Sequence, residues 1–362
     1  MRLMLAFAVA CGVLLAACAA DEPSELADST EFPYQSVVPG VGNDVPADAL
    51  FGVAGFIPPN FPDSSSEDYE TLFDSFEETG PLFGVYLNWR DEGAQPGEIP
   101  EAVRTAFQLA EDKGIVPVVA IGAARDVPGG AVEPTVDWDD PAERQGFIAV
   151  AVAIATEYEA PYLALGGEVN RLWETSPADF DAFVALYLEA YDAVKAARPE
   201  TTVFTIFQLE YMKGEGFLSG QAEMREPEWE LIEMFEGKLD LVGFTTYPFF
   251  DFTSPADIPQ DYYREVAERV GKPIALTEIG WPSAPLSSAP MSDYGGSPAE
   301  QVEFVERLPV LFAGATVSMA VWAFPYDIGG AIGEAFESVS LRENNGTPKA
   351  ALEAWQHIAG ID

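Results

Sequence analysis

Two glutamates, each placed where a short apolar run ends, are the residues of this chain best suited to chemistry. Residues 273–283 read Pro-Ile-Ala-Leu-Thr-Glu-Ile-Gly-Trp-Pro-Ser, so Glu278 closes a run of strand character beside a tryptophan. Residues 162–170 read Tyr-Leu-Ala-Leu-Gly-Gly-Glu-Val-Asn, and Glu168 closes that run in the same way. Glycoside hydrolysis needs two carboxyl groups, one to protonate the leaving oxygen and one to attack the anomeric carbon or activate water. The pair predicts a sugar-cleaving site. The competing interpretations are a solvated strand end for Glu278 and a helix-capping loop carboxylate for Glu168.

Composition argues against several other chemistries. The sequence has one histidine, His357, and two cysteines, Cys11 and Cys18, both of which precede the folded part. A Ser-His-Asp triad would need His357 at its centre, although its place in the last helical stretch favours a packing role, and no histidine cluster for a metal is possible. Neither an EF-hand nor a phosphate-binding glycine loop is found. Carboxylates remain as the abundant groups for acid–base work, and no cofactor or metal is expected.

The charge of the chain is strongly negative. It has 18 Lys and Arg against 60 Asp and Glu, a formal net charge of −42 at pH 7. Such a surface repels nucleic acid and anionic polymers. The sequence therefore predicts a neutral carbohydrate partner and no nucleic acid partner, and we expect a monomer.

The N-terminal residues are typical of an export signal. Arg2 precedes an apolar stretch, Leu3 to Leu15, which is too short to span a membrane, and Leu15-Ala16-Ala17-Cys18 resembles a bacterial lipobox. We therefore predict a lipoprotein signal peptide over residues 1–17 and a lipidated Cys18. An acidic, flexible linker follows up to residue 48, and one domain covers 49–362. The expected location is extracytoplasmic, with the lipid anchor as the membrane contact at the cell surface or in the periplasm. The alternative is an ordinary secretory signal with a coincidental cysteine.

Eight apolar runs alternate with helical patterns along the rest of the chain. The runs are continuous rather than alternating, as in parallel strands buried on both faces. They are Phe51–Phe56, Phe83–Leu87, Val116–Ile121, Tyr162–Leu165, Val203–Phe207, Leu241–Thr245, Ile274–Thr277 and Val317–Phe324. Helix starts are predicted at Pro100, Asp140-Pro141, Pro177, Pro259, Ser297-Pro298 and Pro348. The pattern predicts an α/β fold, a (β/α)8 TIM barrel, whose active site lies at the C-terminal ends of the strands.

The motif around Glu278 resembles a known group of enzymes. Glu278 followed by Ile279-Gly280-Trp281-Pro282-Ser283 is similar to the nucleophile strand of clan A glycoside hydrolases, most of all family 17 β-1,3-glucanases and family 53 galactanases. Tyr162 to Val169 resembles the acid/base strand of that clan. The resemblance implies Glu278 as nucleophile on strand 7 and Glu168 as acid/base on strand 4.

The same resemblance assigns roles to further residues. Leu241 to Phe250 is similar to strand 6 of the clan, which implies that Tyr247 contacts the nucleophile and keeps it ionised. Val317 to Asp327 is similar to strand 8, which implies Trp322 as the floor of the cleaved-sugar subsite. The remaining candidates for sugar binding are Trp281, Trp173 after strand 4, and Asn88 and Arg90 at the end of strand 2. Packing or a surface loop is the alternative for each of these.

One position departs from the clan pattern. The clan has asparagine directly before the acid/base, whereas this chain has Gly167, with Asn170 nearby but not at the matching place. The sequence predicts a retaining β-glycosidase that acts on a neutral β-glucan or galactan. Gly167 keeps open a non-catalytic glycan-binding lipoprotein with a lapsed site, and a cell-wall transglycosylase would use the same two glutamates.

Overall fold

The computed structural model describes residues 49–88, 98–122, 124–126, 132–135, 137–214, 226–285, 296–328 and 334–361. Within these residues the chain forms a parallel sheet that curves into a barrel, with helices outside it. The strands are β1 Leu50–Ala54, β2 Leu82–Asn88, β3 Val116–Gly122, β4 Ala124–Asp126, β5 Val132–Pro134, β6 Tyr162–Leu165, β7 Thr202–Phe204, β8 Ile206–Gln208, β9 Val242–Thr246, β10 Ile274–Ile279 and β11 Val317–Ala323.

The order of the strands closes a barrel of eight positions. Neighbours in the sheet run β7-β6-β3-β2-β1-β11-β10-β9-β8. The two ends of this order, β7 and β8, are halves of one strand interrupted at Thr205. The (β/α)8 barrel prediction is therefore confirmed, with β6 as strand 4, β9 as strand 6 and β10 as strand 7. The short antiparallel hairpin of β4 and β5 lies outside the barrel sheet and was not predicted.

The helices of the described residues begin where local sequence signals place them. They are α1 Ser66–Ser75, α2 Glu101–Lys113, α3 Pro141–Glu157, α4 Val169–Thr175, α5 Pro177–Ala197, α6 Leu209–Met212, α7 Glu230–Glu233, α8 Tyr262–Val270, α9 Pro298–Phe312 and α10 Ala350–Ala359. The Asp140 side chain accepts from Ala142 N at 2.8 Å to cap α3, and Ser297 accepts from Glu300 N at 3.2 Å to cap α9. Both caps are followed by a proline, which suits the first turn. None of these helices is long and apolar enough to cross a membrane.

The core has two layers separated by the barrel wall. The inner layer fills the barrel with small and branched side chains, among them Val118, Ala120, Ala164, Met319 and Val321. The outer layer is larger and lies between the strands and the helices. Side chains of a strand alternate between these layers, so every site residue must first be assigned to one of them.

Candidate active site

A strained turn carries Glu168 at the mouth of the barrel. Strand β6 ends at Leu165, and Gly166 follows with φ 88°. A Cβ on Gly166 would lie 2.5 Å from the Phe183 ring, so only glycine fits there. Glu168 itself has φ 46°, a left-handed conformation that costs a side-chain-bearing residue energy and is found preferentially at functional sites. The turn aims this carboxylate across the barrel mouth before α4 begins.

The Glu168 carboxylate has two partners, one on each oxygen. Thr245 Oγ1 donates to Oε1 at 2.6 Å from the end of β9. Arg171 Nη1, one turn later in α4, lies 2.9 Å from Oε2. Both side chains of this ion pair are mostly buried, with 13% of the Glu168 side chain and 15% of the Arg171 side chain exposed. The sequence had given no role to Thr245 or Arg171.

A bulge in β10 brings Glu278 to the same mouth. Ile274 and Leu276 face the outer layer and Ala275 faces the inner one, so strict alternation would send Glu278 outward. The register with β9 shifts between Leu276 and Glu278, and the register with β11 shifts between Leu276 and Ile279. A bulge of this kind re-aims the side chain that follows it. Glu278 thereby turns toward the barrel mouth while Ile279 stays in the outer layer.

Burial dominates the electrostatics of Glu278. Only 4% of the residue is exposed, and Tyr247 donates its hydroxyl to Oε2. Burial raises the pKa of Glu278 to about 8; the Tyr247 hydrogen bond lowers it, and the charge of Glu168 adds to the rise. The expectation that Tyr247 keeps this carboxyl ionised is thus corrected, because one neutral donor does not offset the loss of water around the charge.

The two carboxyl groups lie in one electrostatic environment. The charge of Glu168 raises the pKa of Glu278. Burial is the largest cause of the raised pKa values of Tyr247 and Tyr86, and the charges of both glutamates raise them further. Tyr86 belongs to β2, packs against the inner layer and has a buried hydroxyl. Strands 2, 4, 6 and 7 therefore converge on a single polar cluster at the C-terminal mouth. A carboxyl spacing of about 5–5.5 Å, as in retaining enzymes, stays a prediction.

Three consecutive residues at the end of β9 each bind a different glutamate. Thr245 binds Glu168 and Tyr247 binds Glu278, while Thr246 Oγ1 donates to Glu210 Oε1 at 2.7 Å. Glu210 follows β8, has no exposed surface and was not singled out from the sequence. The signal that points to these residues is the polar run Thr-Thr-Tyr at the end of an otherwise apolar strand.

The burial of two tryptophans corrects their expected role as sugar platforms. Trp322 is fully buried and donates Nε1 to Val339 O at 2.9 Å. Its ring packs on Phe304 and on Trp355, 5.3 Å away, in the outer layer. Because Met319 and Val321 face the barrel interior, alternation along β11 sends Trp322 outward.

Trp281 is also fully buried. Its ring lies 5.4 Å from Phe304 and 6.1 Å from Phe249, and its carbonyl accepts from Gln301 Nε2 at 2.8 Å. It therefore offers no exposed face to a sugar in this structure. Trp281 follows the end of β10 and Trp322 lies within β11, and both pack in the layer between the barrel and the helices.

Of the remaining residues predicted from the sequence, the structure describes Trp173 and Asn88. Trp173 lies on α4, half-buried, with its ring 5.7 Å from Phe180 in an edge contact. Asn88 is the last residue of β2, at the C-terminal mouth. Arg90 and Cys18 lie outside the described residues.

Two nearby positions that bear on the missing asparagine, Gly167 and Asn170, differ in their exposure to solvent. Gly167 is exposed, and a Cβ built on it meets nothing within 4 Å. Asn170 is fully buried and both donates to Gln208 O and accepts from Gln208 N, each at 2.9 Å. Its amide is therefore consumed by the backbone of β8 and does not take the place of the missing asparagine. Among the described residues no group of three or more His, Cys, Asp or Glu is arranged to hold a metal ion.

Comparison with solved structures finds the same barrel fold in several glycoside hydrolases. A family 39 glycoside hydrolase from Bacteroides cellulosilyticus WH2 matches with a TM-score of 0.60 at 17% identity, over 90% of this chain and 66% of that one, slightly less than two thirds of its length. The family 53 catalytic domain from Ignisphaera aggregans matches with a TM-score of 0.57 at 16% identity, over 90% of this chain and 99% of that one. A GH5_18 protein from Streptomyces cattleya, in complex with GlcNAc, matches with a TM-score of 0.63 at 15% identity, over 86% and 80% of the two chains.

These likenesses define the class at the level of the fold. The chain has the barrel of clan A glycoside hydrolases, and family 53, which the strand 7 motif resembles, is among the neighbours. No family model matches the chain, and no curated protein does.

Proposed function

We propose that this protein is a retaining β-glycosidase with Glu278 as nucleophile and Glu168 as acid/base. The observation that carries the proposal is the meeting of two carboxyl groups, from the ends of strands 4 and 7, in one electrostatically coupled cluster at the catalytic face of the barrel. Two carboxyl groups that flank a glycosidic bond are the machinery of glycoside hydrolysis.

The first step forms a covalent intermediate. A Glu278 oxygen attacks the anomeric carbon, while Glu168 gives its proton to the glycosidic oxygen, and the leaving sugar departs as an alcohol. Tyr247 fixes the orientation of Glu278 by donating to Oε2, which leaves the other carboxylate oxygen for attack.

The second step releases the sugar with its configuration retained. Glu168, now a carboxylate, takes a proton from water, and the resulting hydroxide equivalent displaces Glu278 from the anomeric carbon. Two inversions at that carbon give net retention. Thr245 and Arg171, which hold the Glu168 oxygens, orient it for this general-base role.

In the resting site, proton and charge are distributed in the opposite way from what the reaction requires. The pKa of Glu278 is raised to about 8, whereas Glu168 is ion-paired with Arg171. Reaction requires the proton on Glu168 and the charge on Glu278. Because the charge of Glu168 is one cause of the raised pKa of Glu278, protonation of Glu168 itself favours ionisation of Glu278. We infer that a bound sugar separates Glu168 from Arg171 and so moves the pair into the reactive state.

The substrate class we propose is a neutral β-linked glucan or galactan. The net charge of −42 disfavours anionic polymers, and one set of neighbours is described as fungal β-1,4-galactanases. A panel of aryl β-glycosides and polysaccharides, read by reducing-end release and by NMR of the first-formed anomer, tests the reaction. Retained configuration and mass-spectrometric capture of a 2-fluoro sugar on Glu278 are expected. Inverted product would overturn the mechanism, and products longer than the substrate would indicate a transglycosylase.

The Arg171 ion pair favours one other candidate, a glycan-binding protein without turnover. A carboxylate held by a mostly buried arginine is a poor proton donor if the pair never opens. Oligosaccharide binding measured by calorimetry, together with no turnover of any aryl glycoside in either wild type or Arg171→Ala, would select this function.

We further propose that a lipid on Cys18 anchors the protein to the outer side of a bacterial cytoplasmic or outer membrane. The support is the lipobox-like run that ends at Cys18. Wild type is expected to partition with membranes, and Cys18→Ser to be found in the aqueous fraction. Membrane partition of the Cys18→Ser protein would contradict the anchor.

A further inference from the structure

A carboxylate that plays no part in the proposed reaction lies directly beneath the site. Glu210 has no exposed surface, and it forms no ion pair with any Lys or Arg of the described residues. An isolated buried charge costs several kcal/mol, and an apolar residue of similar size often stabilises a fold more. The position of this residue therefore calls for an explanation other than stability.

Four neutral donors hold the Glu210 carboxylate, two on each oxygen. Oε1 accepts from Thr246 Oγ1 at 2.7 Å and from Tyr262 OH at 2.9 Å. Oε2 accepts from Gln208 Nε2 at 2.7 Å and from the backbone N of Tyr247 at 3.0 Å. The contacts to Thr246 and Tyr247 fix the end of β9 from below, and those to Gln208 tie it to β8.

The end of β9 is the element that holds both reactive carboxyl groups. Thr245 donates to Glu168, and Tyr247 donates to Glu278. The peptide N of Tyr247 ends on Glu210 while its hydroxyl ends on Glu278. A small shift of this segment would therefore change both contacts at once.

We propose that Glu210 is a positioning residue which fixes the Thr245–Tyr247 segment, so that Thr245 and Tyr247 hold Glu168 and Glu278 in reactive register. The inference rests on the proposed function for its meaning, but its physical claim concerns the Tyr247–Glu278 contact alone. That contact is measurable without turnover.

The test is ¹³C NMR titration of the Glu278 carboxyl in the full-length protein labelled at the glutamate carboxyl carbons. The Glu278 signal is assigned by its loss in Glu278→Gln. Because the Tyr247 hydrogen bond lowers the pKa of Glu278, Tyr247→Phe is expected to raise it by roughly one unit, the usual worth of a hydrogen bond to a charged group. Glu210→Ala is expected to raise it by most of the same amount.

The double variant separates a positioning role from a general loss of packing. If Glu210 acts through Tyr247, the pKa of Glu278 in Glu210→Ala/Tyr247→Phe equals that in Tyr247→Phe alone. Glu210→Gln keeps the shape, with its oxygen toward Tyr247 N and its amide donating to the Thr246 and Tyr262 hydroxyls, and is expected to restore the wild-type titration. Should Glu210→Ala fail to fold, Glu210→Met takes its place, because it keeps the volume but accepts no hydrogen bonds, and the same rise in the pKa of Glu278 is expected.

Asp240→Asn is the matched control, since Asp240 lies at the opposite end of the same strand region. An unchanged Glu278 titration in Glu210→Ala or Glu210→Met, additive shifts in the double variant, or an equal shift in the control would overturn the proposal. These outcomes leave the glycosidase function untouched. If the wild type shows no turnover but the titration behaves as expected, the glycosidase function is rejected and the positioning role of Glu210 is retained.

Discussion

The carboxylates at the two ends of β9 have opposite pKa shifts. At the N-terminal end, Asp240 accepts from Lys195 Nζ, Val203 N and Tyr191 OH, each at 2.8 Å. Burial alone would raise the pKa of Asp240, but these partners together hold it below its ordinary value. At the C-terminal end, Glu278 has a tyrosine hydroxyl in place of a cation, and burial raises its pKa to about 8.

Under the proposed function, this difference separates an end that serves the fold from an end that serves chemistry. A cation and a backbone N–H stabilise the charge of Asp240. These contacts hold β7, β9 and α5 together. Glu278 is kept buried without a cation, at a cost in stability, which is the arrangement of a group whose charge is needed only when substrate is bound. The barrel as a class places stability and catalysis at these two faces.

The largest effect is expected from removal of the nucleophile at the catalytic end. Glu278→Ala should lower kcat on every substrate by about 10⁴-fold or more, because no other group of the cluster can form the covalent bond. Added azide should restore part of the rate on activated glycosides, with inverted product seen by NMR. Turnover of polysaccharide at near wild-type rate would remove Glu278 from the mechanism.

The effect of Glu168→Ala should depend on the leaving group. We expect a loss of roughly 10²–10⁴-fold in kcat on polysaccharide, the usual worth of acid–base assistance. The first step on dinitrophenyl glycosides should be largely spared, because a good leaving group needs no proton, and pre-steady-state release of the phenol measures that step. Equal losses on both kinds of substrate would contradict the acid/base assignment.

The pH profile should carry the raised pKa of Glu278. The resting state and the reactive state each carry one proton on the Glu168–Glu278 pair, so kcat/KM should fall about tenfold per pH unit above the pKa of about 8, where that proton is lost. Tyr247→Phe should move this alkaline limb to higher pH, since the tyrosine lowers the pKa of Glu278. Tyr263→Phe is the control, because this buried tyrosine lies 3.4 Å from Thr246 Oγ1 but forms no hydrogen bond with Glu278. A rate that stays level as the pH rises through 8 would show that the pair holds no proton with this raised pKa.

Some features of the fold and the site could be predicted from the sequence and others could not. Strand order and the two strand-end glutamates were predictable, because apolar runs and their polar ends are local signals. The inward turn of Glu278 was not, since it depends on a bulge that breaks alternation between Leu276 and Glu278. The outward turn of Trp322 follows from the inward direction of Met319 and Val321, which only the closed barrel shows, whereas the resemblance of strand 8 to the clan implied the opposite face.

Residues that act through distant partners were also beyond the sequence. Glu210 looks like an ordinary surface charge in a chain with 60 acidic residues. Only the barrel, which brings β8, β9 and α4 together, shows that Glu210 meets Thr246 and Tyr247. Contacts of that kind join residues far apart in sequence and leave no local pattern.

The stability of the protein should show the opposite sign of linkage at the two ends. The pKa of Glu278 is raised in the folded state, from 4.5 to about 8, so its stabilising contribution is present below pH 4.5 and is lost as pH rises through 8. Glu278→Gln should therefore gain on wild type, by on the order of 3 kcal/mol between pH 5 and pH 9. Denaturant unfolding at each pH measures this. A difference that does not change with pH would mean that Glu278 is not buried in its neutral form.

The smallest effect is expected from Asp240→Asn at the N-terminal end, and its sign is the reverse. The pKa of Asp240 is lowered in the folded state, so its contribution is present above the unfolded value of 3.8 and is lost as pH falls through the folded pKa. About a quarter of this side chain is exposed (26%), and water screens part of the pairing with Lys195. The variant should therefore lose only about 1–2 kcal/mol at pH 7, and this deficit should shrink below pH 4. Its kcat and the alkaline limb of its pH profile should match wild type, because none of its partners reaches the catalytic mouth. A variant that kept its stability but lost turnover would break the division between the two ends of β9.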